Sequence, residues 1–232
     1  MKKFELEHIL QGRVQEYGSG QLFICERGVE EFLPEREEAI KSAIEQVRHW
    51  EHGPEESIFL DTETCGLWGC PIFLVGVMIV SAGEIRILQF FARDYEEEAS
   101  LLGFATEFAS SYKMMVTFNG KTFDVPFMRN RMAFHGLEWE FGHKHLDLLT
   151  HARRKYRGTL PNCRLQTLEE CVCQRTRVGD TPGHLIPQLY DDFVNTGNAT
   201  QIKGIFFHNA LDLIAMAELL PHLKDEAKDN EG

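Results

Sequence analysis

The chain has 232 residues, 43% hydrophobic and 26% charged, a globular composition that suits one large domain or two small ones. No run reaches the ~18 apolar residues a membrane span needs, and MKKFELEHIL carries acids where a signal peptide would be apolar; the sequence reads as cytoplasmic. The formal charge of −12 argues against a protein that coats nucleic acid, yet residues 113–177 alone carry +6, from 12 Lys and Arg against 6 Asp and Glu.

Residues 1–33 hold short apolar runs broken by glycines (EYGSGQLFICERGV) and read as a small hairpin or extended arm. Ala39, Ala43 and Val47 recur every four residues and predict a helix over 35–50. After the turn-rich EHGPEES come three strands, 57–62, 71–80 and 84–91, the last two joined by a tight Ser-Ala-Gly turn. A helix over 94–112 opens on acids, as its dipole favours. A fourth strand at 113–118, a helix at 123–135, and a short fifth strand at 145–149 running into the helix LLTHARRKY follow. Residues 165–172 predict a short helix and VGDTPGHLIP a loop. Residues 188–195 and 201–220 predict the last two helices, and 223–232 a disordered tail. Three successive strands followed by helix–strand alternation predict an α/β fold. Its five-stranded mixed sheet, three strands antiparallel and then two parallel, is flanked by helices. An arm and helix over 1–55 precede one domain over 56–222.

Three stretches carry the chemistry. In IFLDTETCGL, an apolar strand ends in Asp61 and Glu63, two residues apart and so on one face; like charges that close repel unless a cation lies between them. In FNGKTFD, a strand ends in the turn signal Asn119-Gly120 and Asp124 opens a helix. In HNALD, His208 and Asp212 stand four apart on one face of an apolar helix, with Asn209 between them as a supporting partner. Asp147 in HLDLL is a further candidate acid, read as structural or as an outer partner of the site. The six cysteines read as free thiols, because Cys163, Cys171 and Cys173 lack the paired C-x2-C spacing of a zinc site.

These stretches together resemble the DEDD superfamily of metal-dependent 3′–5′ exonucleases on the ribonuclease H-like fold. More narrowly, FLDTETCGL, GKTFDVPFMRNR, HLDLL, PNCRLQTLE, DTPG…IPQLY and HNALD follow the order of the YprB-type ribonuclease H-like domain. The resemblance covers roughly residues 56–220 and implies two divalent cations, Mg²⁺ or Mn²⁺, held by Asp61, Glu63, Asp124 and Asp212. It implies that Asp61 bridges the pair, that Glu63 and Asp212 hold the ion carrying the attacking water, and that Asp124 serves the second ion. His208 would accept the water's proton, for which an ordinary imidazole pKa near ~6.5 is suited. The histidine branch of that superfamily spaces this pair by five; the spacing of four here is shared with the YprB-type pattern.

The expected partner is single-stranded DNA or RNA, reached through Asn119, Lys121, Arg129, Arg153, Arg154 and Arg164, with Trp68 to stack on a base. The other readings are a ribonuclease H-fold endonuclease acting on structured or hybrid nucleic acid, and a silent binding module. Retention of all four acids favours catalysis.

Overall fold

In the computed structural model, which describes residues 3–223, the apolar run IFLVGVMIV forms the middle strand of a seven-stranded sheet. In chain order the strands are β1 (Arg13–Tyr17), β2 (Gly20–Gly28), β3 (Ser57–Thr64), β4 (Ile72–Ser81), β5 (Glu84–Phe91), β6 (Met114–Thr117) and β7 (Lys144–Asp147). They lie in the order β1-β2-β5-β4-β3-β6-β7. Strands β3, β4 and β5 pair antiparallel, while β6 and β7 continue parallel from β3. Ser81 pairs with Glu84 across a two-residue turn in which Ala82 and Gly83 both have positive φ (52° and 80°). That conformation follows the right-handed twist of the flanking strands.

Seven strands replace the expected five. The hairpin at 13–28 does not stand apart as an arm: β2 pairs with β5 from Phe23↔Phe91 to Gly28↔Arg86 and covers that edge. An edge strand as apolar as β5 would leave a row of unpaired backbone groups, which the hairpin satisfies. The tail expected beyond 223 lies outside the described residues.

Among the described residues the α-helices are α1 (Lys3–Leu10), α2 (Glu37–Ile44), α3 (Glu98–Ser110), α4 (Asp124–Phe134), α5 (Leu148–Tyr156), α6 (Leu165–Cys171), α7 (Ile186–Thr196) and α8 (Ile202–Leu219). The helix expected over 35–50 tightens into a 3₁₀ helix from Glu45 to Trp50. The alternation of β3 divides the core in two. Ile58 and Leu60 belong to the same core cluster as Val125, Phe127 and Met128 of α4. Phe59, on the other face, packs with Ala210, Leu213 and Ile214 of α8. Each such side chain, once buried, contributes ~1.5–3 kcal/mol. This alternation also decides where the side chains at the end of β3 point.

Candidate active site

Asp61 and Glu63 share the parity of Phe59 and leave β3 toward α8, while Thr62 leaves on the side of α4. Asp61 is placed by a row across three strands: Asp61 pairs with Gly76, and Gly76 with Gln89. Asn209 of α8 lies over Gly76. Its Nδ2 donates to Asp61 Oδ2 at 2.9 Å, and its Oδ1 accepts from Gln89 Nε2 at 2.9 Å. Gln89 Nε2 also donates to the Phe206 carbonyl at 2.7 Å, so a fully buried amide pair ties α8 to the sheet and aims Asp61. A Cβ built at Gly76 would overlap the Asn209 carboxamide. Gly76→Ala is therefore expected to cost ~1–3 kcal/mol, the usual range for overpacking, read as a lower urea midpoint with the slope unchanged.

Asp124, the first residue of α4, is buried and accepts from Thr62 Oγ1 at 2.7 Å. The turn before it is held by Asp147, which accepts from the backbone N–H groups of Asn119 (2.9 Å), Lys121 (3.0 Å) and Leu149 (3.1 Å). Asp147 is thus structural. It fixes Asn119 at φ 68°, a left-handed conformation that asparagine tolerates better than most residues.

His208 and Asp212 come from α8. Nδ1 of His208 lies 2.9 and 3.1 Å from the two carboxylate oxygens of Asp180, and its Nε2 lies 3.7 Å from Asp212 Oδ2. The Asp212 Oδ1 accepts from Arg177 Nη2 at 2.5 Å. Arg177 also pairs with Asp180 (3.1 Å) and Glu169 (2.7 Å), and Glu169 with Arg175 (2.7 Å). Arg175 pairs in turn with Glu218 (2.7 Å), and Glu218 with Arg36 (2.7 Å). This chain of largely buried charges fastens α6 and the loop after it onto α8.

Asp180 and Arg177 escape a reading of the sequence. DTPG reads as a plain loop, and both residues reach α8 from 28 and 35 positions away. The signals were the place of DTPG among the ordered segments of the resemblance and an acid in a Gly-Pro loop ahead of the apolar helix that carries His208.

The carboxylates feel one another. Burial first, then the charges of Asp212, Glu63 and Asp124, hold Asp61 well above the usual carboxylate range. Burial pushes Glu63 up to about 8, against the pull of His208. Burial also lifts Asp124 to about 6, against its bond from Thr62. His208 stands at about 9: burial opposes its charge, but the bond to Asp180 and the nearby Asp212 and Glu63 outweigh it. His208 thus departs from the ordinary imidazole expected, because the three acids around it, Asp180, Asp212 and Glu63, keep its proton on.

Each of these groups binds more protons folded than unfolded. Each contributes stability that is complete below its unfolded pKa and is lost as pH rises through the folded one. Chelated protein is therefore expected to melt at steadily lower temperature as pH climbs from about 5 to about 9. Added Mg²⁺ should restore most at the alkaline end. Thermal melts across that range check it; a flat profile would mean that these side chains stay in bulk water.

Among the described residues, no three His, Cys, Asp or Glu side chains converge as a ready-made metal cage. The expected convergence of four acids is open here for a local reason. Asp124 turns to Thr62, Asp61 to Asn209, and Asp212 to Arg177. The donor set nonetheless fits a hard divalent cation. All its ligating atoms are oxygens, the acids raise one another, and Glu63 Oε1 is buried with no hydrogen-bond partner among the described residues.

Asp61 and Asp212 open on a cleft of about 470 Å³ lined also by Phe118, Asn119, Arg153, Asn162 and Arg164. Of the residues expected to meet a nucleic acid, the cleft gathers Asn119, Arg153 and Arg164. Lys121, Arg129, Arg154 and Trp68 lie outside its lining. Arg129 stands over the Phe141 ring (5.4 Å), Arg154 donates to His151 Nδ1 (3.0 Å), and Trp68 stacks on Phe127 (5.3 Å). The cleft runs on past Arg153, Asn162 and Cys163 into a second hollow of about 390 Å³ that includes Arg157.

A mixed sheet whose acid-bearing strand lies between an antiparallel and a parallel neighbour, with a long helix laid over its end, defines a ribonuclease H-like, nuclease-like domain. Residues 58–224 match the RNase_H superfamily, and the chain belongs to that family. It is a YprB-type ribonuclease H-like domain, 33% identical over 173 residues to the uncharacterized protein YprB of Bacillus subtilis (strain 168). That match takes in 71% of this chain and 41% of YprB, so the chain spans about two fifths of the relative's length. In fold it is similar to the family B DNA polymerase of the hyperthermophilic archaeon Pyrobaculum calidifontis, with a TM-score of 0.58 at 14% identity. The likeness covers 72% of this chain and 24% of the polymerase. Among the described residues, no helix is long and apolar enough to cross a membrane.

Proposed function

We propose that this chain is a divalent-metal-dependent 3′–5′ exonuclease that hydrolyses phosphodiester bonds of single-stranded DNA or RNA. One observation carries the reading. Asp61 of β3 and Asp212 of α8 open on one cleft whose wall bears Arg153 and Arg164, neither with an ion-pair partner among the described residues. In a chain whose buried arginines are all ion-paired, exposed unpaired ones beside a cluster of acids suit a phosphate backbone.

Asp61, Glu63, Asp124 and Asp212 would hold Mg²⁺ or Mn²⁺, two ions in the full site. Such ions supply an activated water and charge to stabilise the leaving oxygen. The chain's own residues do the rest. Asn209 and Gln89 keep Asp61 aimed. Asp147 holds the turn that brings Asn119 to the cleft and Asp124 to its place. Arg153 and Arg164 bind the phosphates, and Phe118 offers a face to the terminal base. His208 would accept the water's proton at Nε2, the ring nitrogen that lies toward Asp212. Six free thiols support a reducing, cytoplasmic setting.

The test is cleavage of 5′-labelled single-stranded DNA and RNA with Mg²⁺, Mn²⁺ or EDTA. A metal-dependent ladder shortening from the 3′ end supports the exonuclease and chooses the sugar. Internal cuts would favour the endonuclease, and binding without cleavage would leave a silent module.

A further inference from the structure

The four-residue spacing of His208 and Asp212 places both on one helical face but does not say which ring nitrogen meets the site. A ring free to turn about its χ angles could offer either edge. The deciding contacts come from outside α8. Asp180 places both carboxylate oxygens against Nδ1, at 2.9 and 3.1 Å. A carboxylate only accepts, so Nδ1 carries the hydrogen. Nε2 is then the atom left facing Asp212, 3.7 Å from its Oδ2, without a hydrogen bond among the described residues. Gly183, in the same loop, closes over that edge of the ring: a Cβ added there would lie 3.7 Å from Nε2 and 3.8 Å from Cε1.

The loop is not a passive cover. Arg177, three residues before Asp180, holds it to Glu169 at 2.7 Å and binds Asp180 itself at 3.1 Å. Asp180 and His208 are both nearly buried, with side chains 10% and 8% exposed. A buried charge held by two donors has little freedom to leave.

We infer that Asp180 is a positioning residue: through Nδ1 it locks the His208 ring so that Nε2 points at the reacting centre. This rests on the proposal that His208 accepts the proton. It adds a residue that lies far from His208 in sequence and touches neither substrate nor cation. Orienting partners of this kind typically matter by about 10–100-fold.

The test compares Asp180→Ala with Asp180→Asn, because the amide oxygen of asparagine still accepts from Nδ1–H. Steady-state cleavage of a 5′-labelled oligonucleotide gives kcat and KM. In parallel, a proton spectrum of chelated protein seeks the downfield Nδ1–H resonance, assigned by its loss in His208→Gln. Asp180→Ala is expected to lower kcat by about 10–100-fold at unchanged KM and to lose the resonance. Asp180→Asn should keep the resonance and most of kcat. If Asp180→Asn is as impaired as Asp180→Ala, or the resonance survives in Asp180→Ala, the inference is overturned and Asp180 is only the counter-ion of Arg177. A wild type that cleaves nothing would sink the exonuclease reading instead. The resonance needs no turnover and would still decide whether Asp180 holds the ring.

Discussion

Asp61→Asn is expected to abolish strand cleavage and, in the same protein, to raise the melting temperature in chelator. Both effects come from one charge. Asp61 is burdened by burial and by the negative charges of Asp212, Glu63 and Asp124, which hold its proton affinity far above that of a free carboxyl. Replacing it with a neutral amide of the same shape removes that repulsion and leaves an oxygen to accept from Asn209 Nδ2. A gain of about 1 kcal/mol would move the midpoint up by about 2–4 °C in a chain of this size. The same change removes the acid that cation charge must meet. Losing about 4 kcal/mol of transition-state stabilisation is about a 10³-fold slower reaction. Parallel cleavage assays and melts in EDTA at alkaline pH read the two signs. An undiminished rate would remove Asp61 from the chemistry. A lower midpoint would mean that the amide row of Gln89 and Asn209 needs the charge.

Glu98→Ala should give the largest loss of stability of any single change outside the cleft. Glu98, on α3, is 1% exposed. One oxygen accepts from Arg131 Nε and from the Ile72 backbone N–H, both at 2.8 Å. The other accepts from Arg131 Nη2 at 2.5 Å and lies 2.8 Å from His135 Nε2. Removing the acid strands a buried guanidinium and a backbone donor at the start of β4, which costs about 3–5 kcal/mol. Arg131 also donates to the Gly69 carbonyl at 3.0 Å, so the loop bearing Leu67 and Trp68 should exchange its amides faster. Urea denaturation and hydrogen exchange check both. A cost below about 1 kcal/mol would show that water reaches the pair and screens it.

Much of this was written locally. Apolar runs, turn signals and helical spacing marked every strand from β3 to β7 and every helix from α2 to α8, because each depends on neighbours a few residues away. The same local rules placed Asp61 and Glu63 on one face of a strand, and His208 and Asp212 on one face of a helix. Two kinds of feature were not legible. The hairpin of β1 and β2 reads as a hairpin, but nothing in its residues names β5 as its neighbour. That pairing joins residues 58 to 68 apart and is chosen by an open sheet edge that exists only after folding.

The electrostatics of the site also belong to the assembled fold. The sequence by itself determined which acids exist and which pairs share a face. Only the tertiary structure decided that Asp124 turns to Thr62 on the far side of β3, that Arg177 takes Asp212, and that Asp180 holds His208. Only the bond to Asp180 and the charges of Asp212 and Glu63, acting against burial, move His208 from an ordinary imidazole to one that keeps its proton to about 9. A side chain's identity and helical or strand phase are properties of a few residues, whereas its partners and its dielectric surroundings are properties of the packed whole.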